Sequence, residues 1–223
     1  ATMPLRLYAL LAPHLGFSGV ENRAWVGTYK GRRMMFAQRG DSALALAADP
    51  GPTRLSVGYV GASDGWQDFD ANGRMTWTHD ATDGGNVAGL LELDPGGGIT
   101  QLALAFGARP EQAALEASAS LAGRFQIDWD AYVQAWSDLG QSISEAPTQL
   151  EAPERDLYLT SAAVLRTHED ATEPGATVAS LSIPWGNTTN ERGGYHLVWS
   201  RDLVEAAGAF VALGSRASAQ RTL

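Results

Sequence analysis

The 223 residues are 44% hydrophobic and 18% charged, so the chain can bury a core and reads as globular rather than disordered. Its formal net charge is −9 and its 16 lysines and arginines are scattered, which leaves no basic stripe to neutralise a phosphate backbone and argues against nucleic acid as a partner. No apolar run reaches the roughly 18 residues of a membrane span, and the absence of cysteine removes disulfides, thiolate nucleophiles and cysteine-based zinc sites together.

From the N-terminus, short runs that alternate apolar and polar residues are broken by Gly, Pro, Asn or Asp. They predict strands at Leu5–Leu11, Ala24–Tyr29, Met34–Gln38, Ala43–Ala48, Leu55–Val60, Met75–Thr78, Val87–Leu93 and Ile99–Phe106. Eight short strands with no helical pattern between them favour an antiparallel β-sandwich over a parallel sheet. After Phe106 the period changes. Pro110 stands where a first-turn proline belongs and opens a helix, and Asp128 to Leu139 places Trp129, Val133 and Trp136 on one face of a second.

The stretch from Gly140 to Pro153 is polar and proline-punctuated, as an interdomain linker would be. Beyond it, Leu157, Ser161, Val164, Leu165 and His168 recur at helical spacing, and a further helix from Ser200 to Leu213 stacks Leu203, Val204, Ala207, Phe210 and Val211. Strands followed by helices indicate a β unit and then a helical one. Residues 1–5 enter strand-like sequence with no charged or apolar leader, and 215–223 carry helix-favouring residues with no terminator, so the sequence reads as an internal piece. An incomplete helical layer would leave the face of Leu203, Ala207 and Phe210 without partners.

The segment from Ser180 to Gly214 concentrates Trp185, Tyr195, His196, Trp199, Arg201 and Asp202 around a Gly-Gly turn and a helix start. Aromatic rings beside a charged hydrogen-bonding pair suit a sugar, whose C–H faces stack on the rings while its hydroxyls need directional donors and acceptors. The competing reading is structural: Ser200 caps the helix, Asp202 complements its dipole, and the aromatics are core.

Particular motifs carry a resemblance. SLSIPWG at 180–186, GGYHLVW at 193–199 and RDLVE at 201–205 resemble the opening of the catalytic domain of bacterial glycoside hydrolase family 15, the glucoamylases and glucodextranases, and SAAVLRTHED at 161–170 resembles that domain's first helix. LYALLAPHLG at 7–16, NRAWVGTYKG at 22–31 and GASDGWQDF at 61–69 resemble the family's N-terminal sandwich. The resemblance implies the C-terminal part of a β-sandwich domain over 1–108, a helical linker over 109–153, and the first helices of an incomplete (α/α)6 barrel over 154–223.

It also implies an inverting, exo-acting hydrolase that releases β-glucose from the non-reducing ends of α-glucans or maltooligosaccharides, a glucan 1,4-α-glucosidase or glucodextranase, with no cofactor. Arg201 and Asp202 inherit the grip on the terminal glucose, Tyr195 and Trp199 the flanking aromatic positions, and Trp185 a lesser place, in the pocket or only at its rim. Inversion needs two carboxyl groups roughly 6.5–9.5 Å apart, one acid and one base. In the family both are glutamates carried later in the barrel, so they are expected beyond Leu223, and none of Glu169, Glu173, Glu191 or Glu205 lies in a matching segment. On that reading the chain alone is inactive. A polymeric substrate points to an extracytoplasmic enzyme, although one acting in the cytoplasm on short maltodextrins would carry the same residues. The alternatives are a non-catalytic carbohydrate-binding or scaffold protein, and an α,α-trehalase on the same scaffold.

No metal site is expected. Asp68, Asp70, Asn72 and Gly73 match half of a calcium loop, but its twelfth position is His79 in place of the bidentate glutamate. His14, His79, His168 and His196 lack zinc-ligand spacing.

Overall fold

The computed structural model describes residues 6–94, 98–181 and 197–223, with Phe17 described by its backbone alone. The chain divides into two compact units, one running through Arg124 and one that starts at Phe125. Among the described residues no helix is long and apolar enough to cross a membrane.

The first unit holds β1 (Leu7–Leu11), β2 (Arg23–Tyr29), β3 (Arg32–Arg39), β4 (Ser42–Asp49), β5 (Arg54–Tyr59), β6 (Val87–Leu93) and β7 (Gln101–Gly107). They form two antiparallel sheets, ordered β1-β6-β5 and β2-β3-β4-β7. The strand period of two explains the packing. In β4, Leu44, Leu46 and Ala48 face the opposing sheet with Met35, Leu55, Val57 and Leu91, while Ala45 and Ala47 face the other way. That outer face is covered by helix α2 (Pro110–Ala122), through Ala113, Ala114, Ala117 and Leu121. Alanine on both surfaces lets the helix lie close to the sheet. Between the sheets, Gly89 leaves the space that the Met35 side chain fills.

Seven of the eight expected strands are present, and Met75–Thr78 is the exception. It lies in an irregular segment after a helix that periodicity did not show, α1 (Gly65–Asn72). Asp64 caps α1 by accepting from the backbone N–H groups of Trp66 at 2.8 Å and Gln67 at 3.2 Å. Asp68, inside the helix and fully buried, accepts from the backbone N–H of Thr76 and of Trp77, from the Thr76 hydroxyl and from Asn72. The segment's backbone is thus satisfied by one carboxylate in place of a strand ladder, and the oxygens that a cation would require are already taken. The chain then crosses between the sheets: Val57 N–H donates to the His79 carbonyl at 3.0 Å and Val26 N–H to that of Asp80 at 2.7 Å.

The second unit holds α3 (Phe125–Ser142), α4 (Ala152–Thr167), α5 (Ser200–Ala212) and α6 (Arg216–Thr222). Helix α3 carries a ladder of Phe125, Trp129, Tyr132 and Trp136, with ring centroids 5.8–6.2 Å apart. A reciprocal pairing of Glu151 and Glu154 caps the start of α4. The fold is therefore a β-sandwich followed by helices, with the barrel only partly present.

One expectation about the helical layer is corrected. Phe210 and Ala207 are buried, Phe210 against Ala162, Leu213 and Ala219, so this face is closed by α4 and α6. Val204 and Val211, expected on the same face, are exposed instead. The buried stripe runs through Ala206, Ala207 and Phe210, the i, i+1, i+4 spacing of one helix face.

After α4 the chain makes a short hairpin. Glu169 bridges Thr177, Asp170 N–H donates to the Ala176 carbonyl at 2.8 Å, and Val178 N–H donates to that of His168 at 3.0 Å. The Asp170 carboxylate holds the turn by accepting from the backbone of Thr172 and Glu173. Gly175 sits in the turn at φ +93°, where a Cβ would overlap the Arg221 carbonyl.

Two outcomes test these contacts. Burial acts to raise the Asp68 carboxyl pKa, but the hydrogen bonds from Thr76, Trp77 and Asn72 outweigh it and hold the group below its ordinary value. A depressed folded pKa adds stability that is present above the unfolded value and lost as pH falls through the folded one. Asp68→Asn should therefore destabilise by about 1–3 kcal/mol at pH 7, and urea melts should show the difference shrinking once the pH falls below about 4. Gly175→Ala should cost at least about 2 kcal/mol from strain and backbone overlap, read as a lowered thermal midpoint.

Candidate functional site

The site is built at the N-terminal end of α5. Trp199 occupies the cap position, with Ser200 as the first helical residue and no side chain capping the helix, so Ser200 is not the cap that its residue type suggested. Arg201 and Asp202 fall in the first turn, where the free backbone N–H groups and the helix dipole favour a carboxylate. Arg201 Nε lies 3.5 Å from Asp202 Oδ1. The Arg201 side chain is 87% exposed and that of Asp202 32%, so the arginine extends into solvent while the carboxylate lies against the protein. Trp199 is half exposed. Tyr195 and Trp185 lie outside the described residues.

Asp202 lines a cleft of about 430 Å³ between the C-terminal turns of α4, the outgoing strand of the hairpin and the first three turns of α5. Its walls are Val164 and Leu165, then Thr177, Val178 and Ala179, then Ala206 and Ala209; its polar groups are His168, Asp202 and Glu205. An apolar cleft with a few convergent polar groups is the usual form of a small-molecule site. His168 Nδ1 lies 2.7 Å from the Val164 carbonyl, which can only accept, so Nδ1 carries a proton.

The structure thus brings together Arg201 and Asp202 from the expected set and adds His168, Thr177 and Glu205. His168 had a sequence signal, since it continues the Leu157, Ser161, Val164, Leu165 face of α4. Thr177 had none, because only pairing in space brings it to the cleft. Among the described residues, no three His, Asp or Glu side chains gather into a group that could hold a metal ion.

What positions the helix start is a second strand contact. Val178 pairs antiparallel with Val198, and Ala179 N–H donates to the Leu197 carbonyl at 3.1 Å. The segment that enters α5 is therefore fixed to the hairpin immediately before Trp199.

Comparison with known proteins matches two families in succession, the first of them extending past the first unit into α3. Residues 1–140 match the family described as glucodextranase, domain N, and residues 152–223 match glycosyl hydrolases family 15. A glucoamylase of Clostridium sp. (strain G0005) is 33% identical over 221 residues, which is 98% of this chain and 31% of that protein. A crystal structure of a bacterial glucoamylase complexed with acarbose superposes with a TM-score of 0.81 at 32% identity, covering 97% of this chain and 32% of the other. The chain thus spans about a third of the length of these relatives. With its first 140 residues matched by the family model, the chain belongs to the glucodextranase domain N family, and its residues 152–223 are similar to glycosyl hydrolases of family 15.

Proposed function

We propose that these residues form part of an exo-acting, inverting α-glucan hydrolase of the glucoamylase type and that Arg201 and Asp202 grip the terminal glucose. The observation that carries this reading is the position of Asp202, a carboxylate on the first turn of α5 that lines an apolar cleft beside an outward-reaching arginine. A carboxylate there accepts from two adjacent hydroxyls, the guanidinium donates to a third, and Trp199 offers a ring face to the sugar's C–H groups. In this reading Tyr195 is a second aromatic beside the sugar, and Trp185 has a lesser place, in the pocket or only at its rim. The relative solved with acarbose, an oligosaccharide-like ligand, supports a glucan as the class of substrate.

The acid and the base of inversion come from outside these 223 residues, so the described chain binds and does not cleave. In this reading a polymeric substrate calls for an extracytoplasmic enzyme, and one acting on short maltodextrins would serve equally in the cytoplasm.

The test uses the full open reading frame that carries these residues, as wild type and as Asp202→Asn, with maltotetraose and isomaltotetraose as substrates and the released anomer followed by NMR. Prompt release of β-glucose is expected, and loss of a charged hydrogen-bond acceptor should lower kcat/KM about tenfold to a hundredfold in the variant. A wild-type protein that releases glucose from neither substrate overturns the reading and leaves trehalase or non-catalytic sugar binding. Release of α-glucose overturns inversion alone.

A further inference from the structure

The most heavily engaged buried charge in the second unit is not in the cleft. The Glu169 side chain is only 7% exposed, and its two oxygens receive groups from three separate elements. Oε1 accepts from the Gly175 N–H at 2.8 Å and from Arg221 Nε at 2.8 Å, and Oε2 takes Arg221 Nη2 at 3.3 Å together with Arg166 Nη1. One carboxylate therefore joins the last turn of α4, the tip of the hairpin and α6. The Arg221 fork is bidentate, which fixes direction as well as distance.

The backbone of Glu169 is itself one side of the hairpin bridge to Thr177. The next residue, Val178, pairs with Val198, and Ala179 is bonded to Leu197, three to five residues before Arg201 and Asp202. Thr177, Val178 and Ala179 also form a wall of the cleft that Asp202 lines. Backbone pairings thus link the residue that carries the buried carboxylate to the segment that enters α5.

We infer that Glu169 is the positioning residue for the Arg201–Asp202 pair, holding the hairpin that sets where α5 begins. The inference rests on the sugar-gripping role proposed for that pair. Physically, the carboxylate offsets two cations that repel each other. Burial first, and then the charge of Arg221, hold the Arg166 guanidinium below its ordinary pKa. Removing the negative charge leaves Arg166 and Arg221 without the carboxylate that both of them contact. The hairpin then shifts, and Asp202 with it. Displacements of about 1 Å cost as much as a hundredfold in rate when they reach a substrate-positioning group.

Glu169→Gln keeps an acceptor for the Gly175 N–H and removes only the charge. In the full open reading frame, with maltotetraose, it should raise KM and lower kcat/KM at least tenfold, with the circular dichroism spectrum retained. The decisive readout is a double-mutant cycle with Asp202→Asn. If Glu169 acts through Asp202, Glu169→Gln should cost less than about twofold once Asp202 is already changed. Simple destabilisation lowers the active fraction, so it reduces kcat by the same factor in both backgrounds and leaves KM alone. That equal loss would overturn the inference. Should Glu169→Gln fail to fold, Arg221→Gln, which removes the bidentate fork, is carried through the same cycle with the same criterion. A wild type that releases no glucose overturns the grip and this inference together, whereas an active enzyme, sensitive to Asp202→Asn but with an additive cycle, overturns this inference alone.

Discussion

The pairing of residues 178–179 with 197–198 is the constraint on which the helical unit's geometry depends. A helix N-terminus carries functional side chains in a fixed direction only if the chain entering it is held, since capping alone leaves the first turn free to fray. No side chain caps α5. Its start is held by the hairpin after α4, and that hairpin is closed at one end by its bridge at Glu169 and Thr177 and at its turn by the Asp170 carboxylate. Phe210, Leu213 and Ala219 then pack α5 and α6 against Ala162 of α4, so apolar burial supplies cohesion and the short strand contacts supply register.

In the first unit the corresponding constraint is burial on both faces of one sheet. The strand β4 reads Ser-Ala-Leu-Ala-Leu-Ala-Ala-Asp, with Leu44, Leu46 and Ala48 toward the opposing sheet and Ala45 and Ala47 toward α2. Such a strand has no polar face, and it was legible because its length and its Gly and Asp boundaries, rather than strict alternation, marked it. The error at Met75–Thr78 has the opposite origin. Met-Thr-Trp-Thr alternates as a strand should, but the backbone N–H groups of Thr76 and Trp77 are claimed by Asp68 eight and nine residues away. Helix α1 was hidden for a related reason: it begins with a strong cap at Asp64, yet its most buried polar side chain is a carboxylate, which breaks the apolar period that would have announced it.

At the candidate site, legibility divides between local and paired features. Arg201 and Asp202 were readable because a helix start, an aromatic neighbour and a charged pair fall within four residues. His168 was half readable from its place on the α4 face. Glu169, Thr177 and Arg221 were opaque, since their surroundings are made by segments brought together in space, and sequence spacing carries no trace of such pairing without the fold. The expected face of α5 was half right for the same reason. Periodicity located an apolar stripe, but which of its two edges became buried was decided by where α4 and α6 lie.

The carboxylates that the fold gathers also bear on what this segment can do chemically. Inversion requires an acid and a base on opposite sides of the sugar, with environments that drive their proton affinities apart. Asp202 and Glu205 are three residues apart on one helix, which sets their Cβ atoms about 5–6 Å apart on the same face. From there both approach a bound ring from one side, an arrangement suited to hydroxyl recognition and unsuited to in-line attack. Glu169 is engaged by two guanidinium groups and an amide and is only 7% exposed, so its oxygens are not presented to a sugar or a water. In the proposed reading Asp202 grips the sugar and Glu169 positions Asp202, and bond cleavage is left to groups that approach the ring from elsewhere.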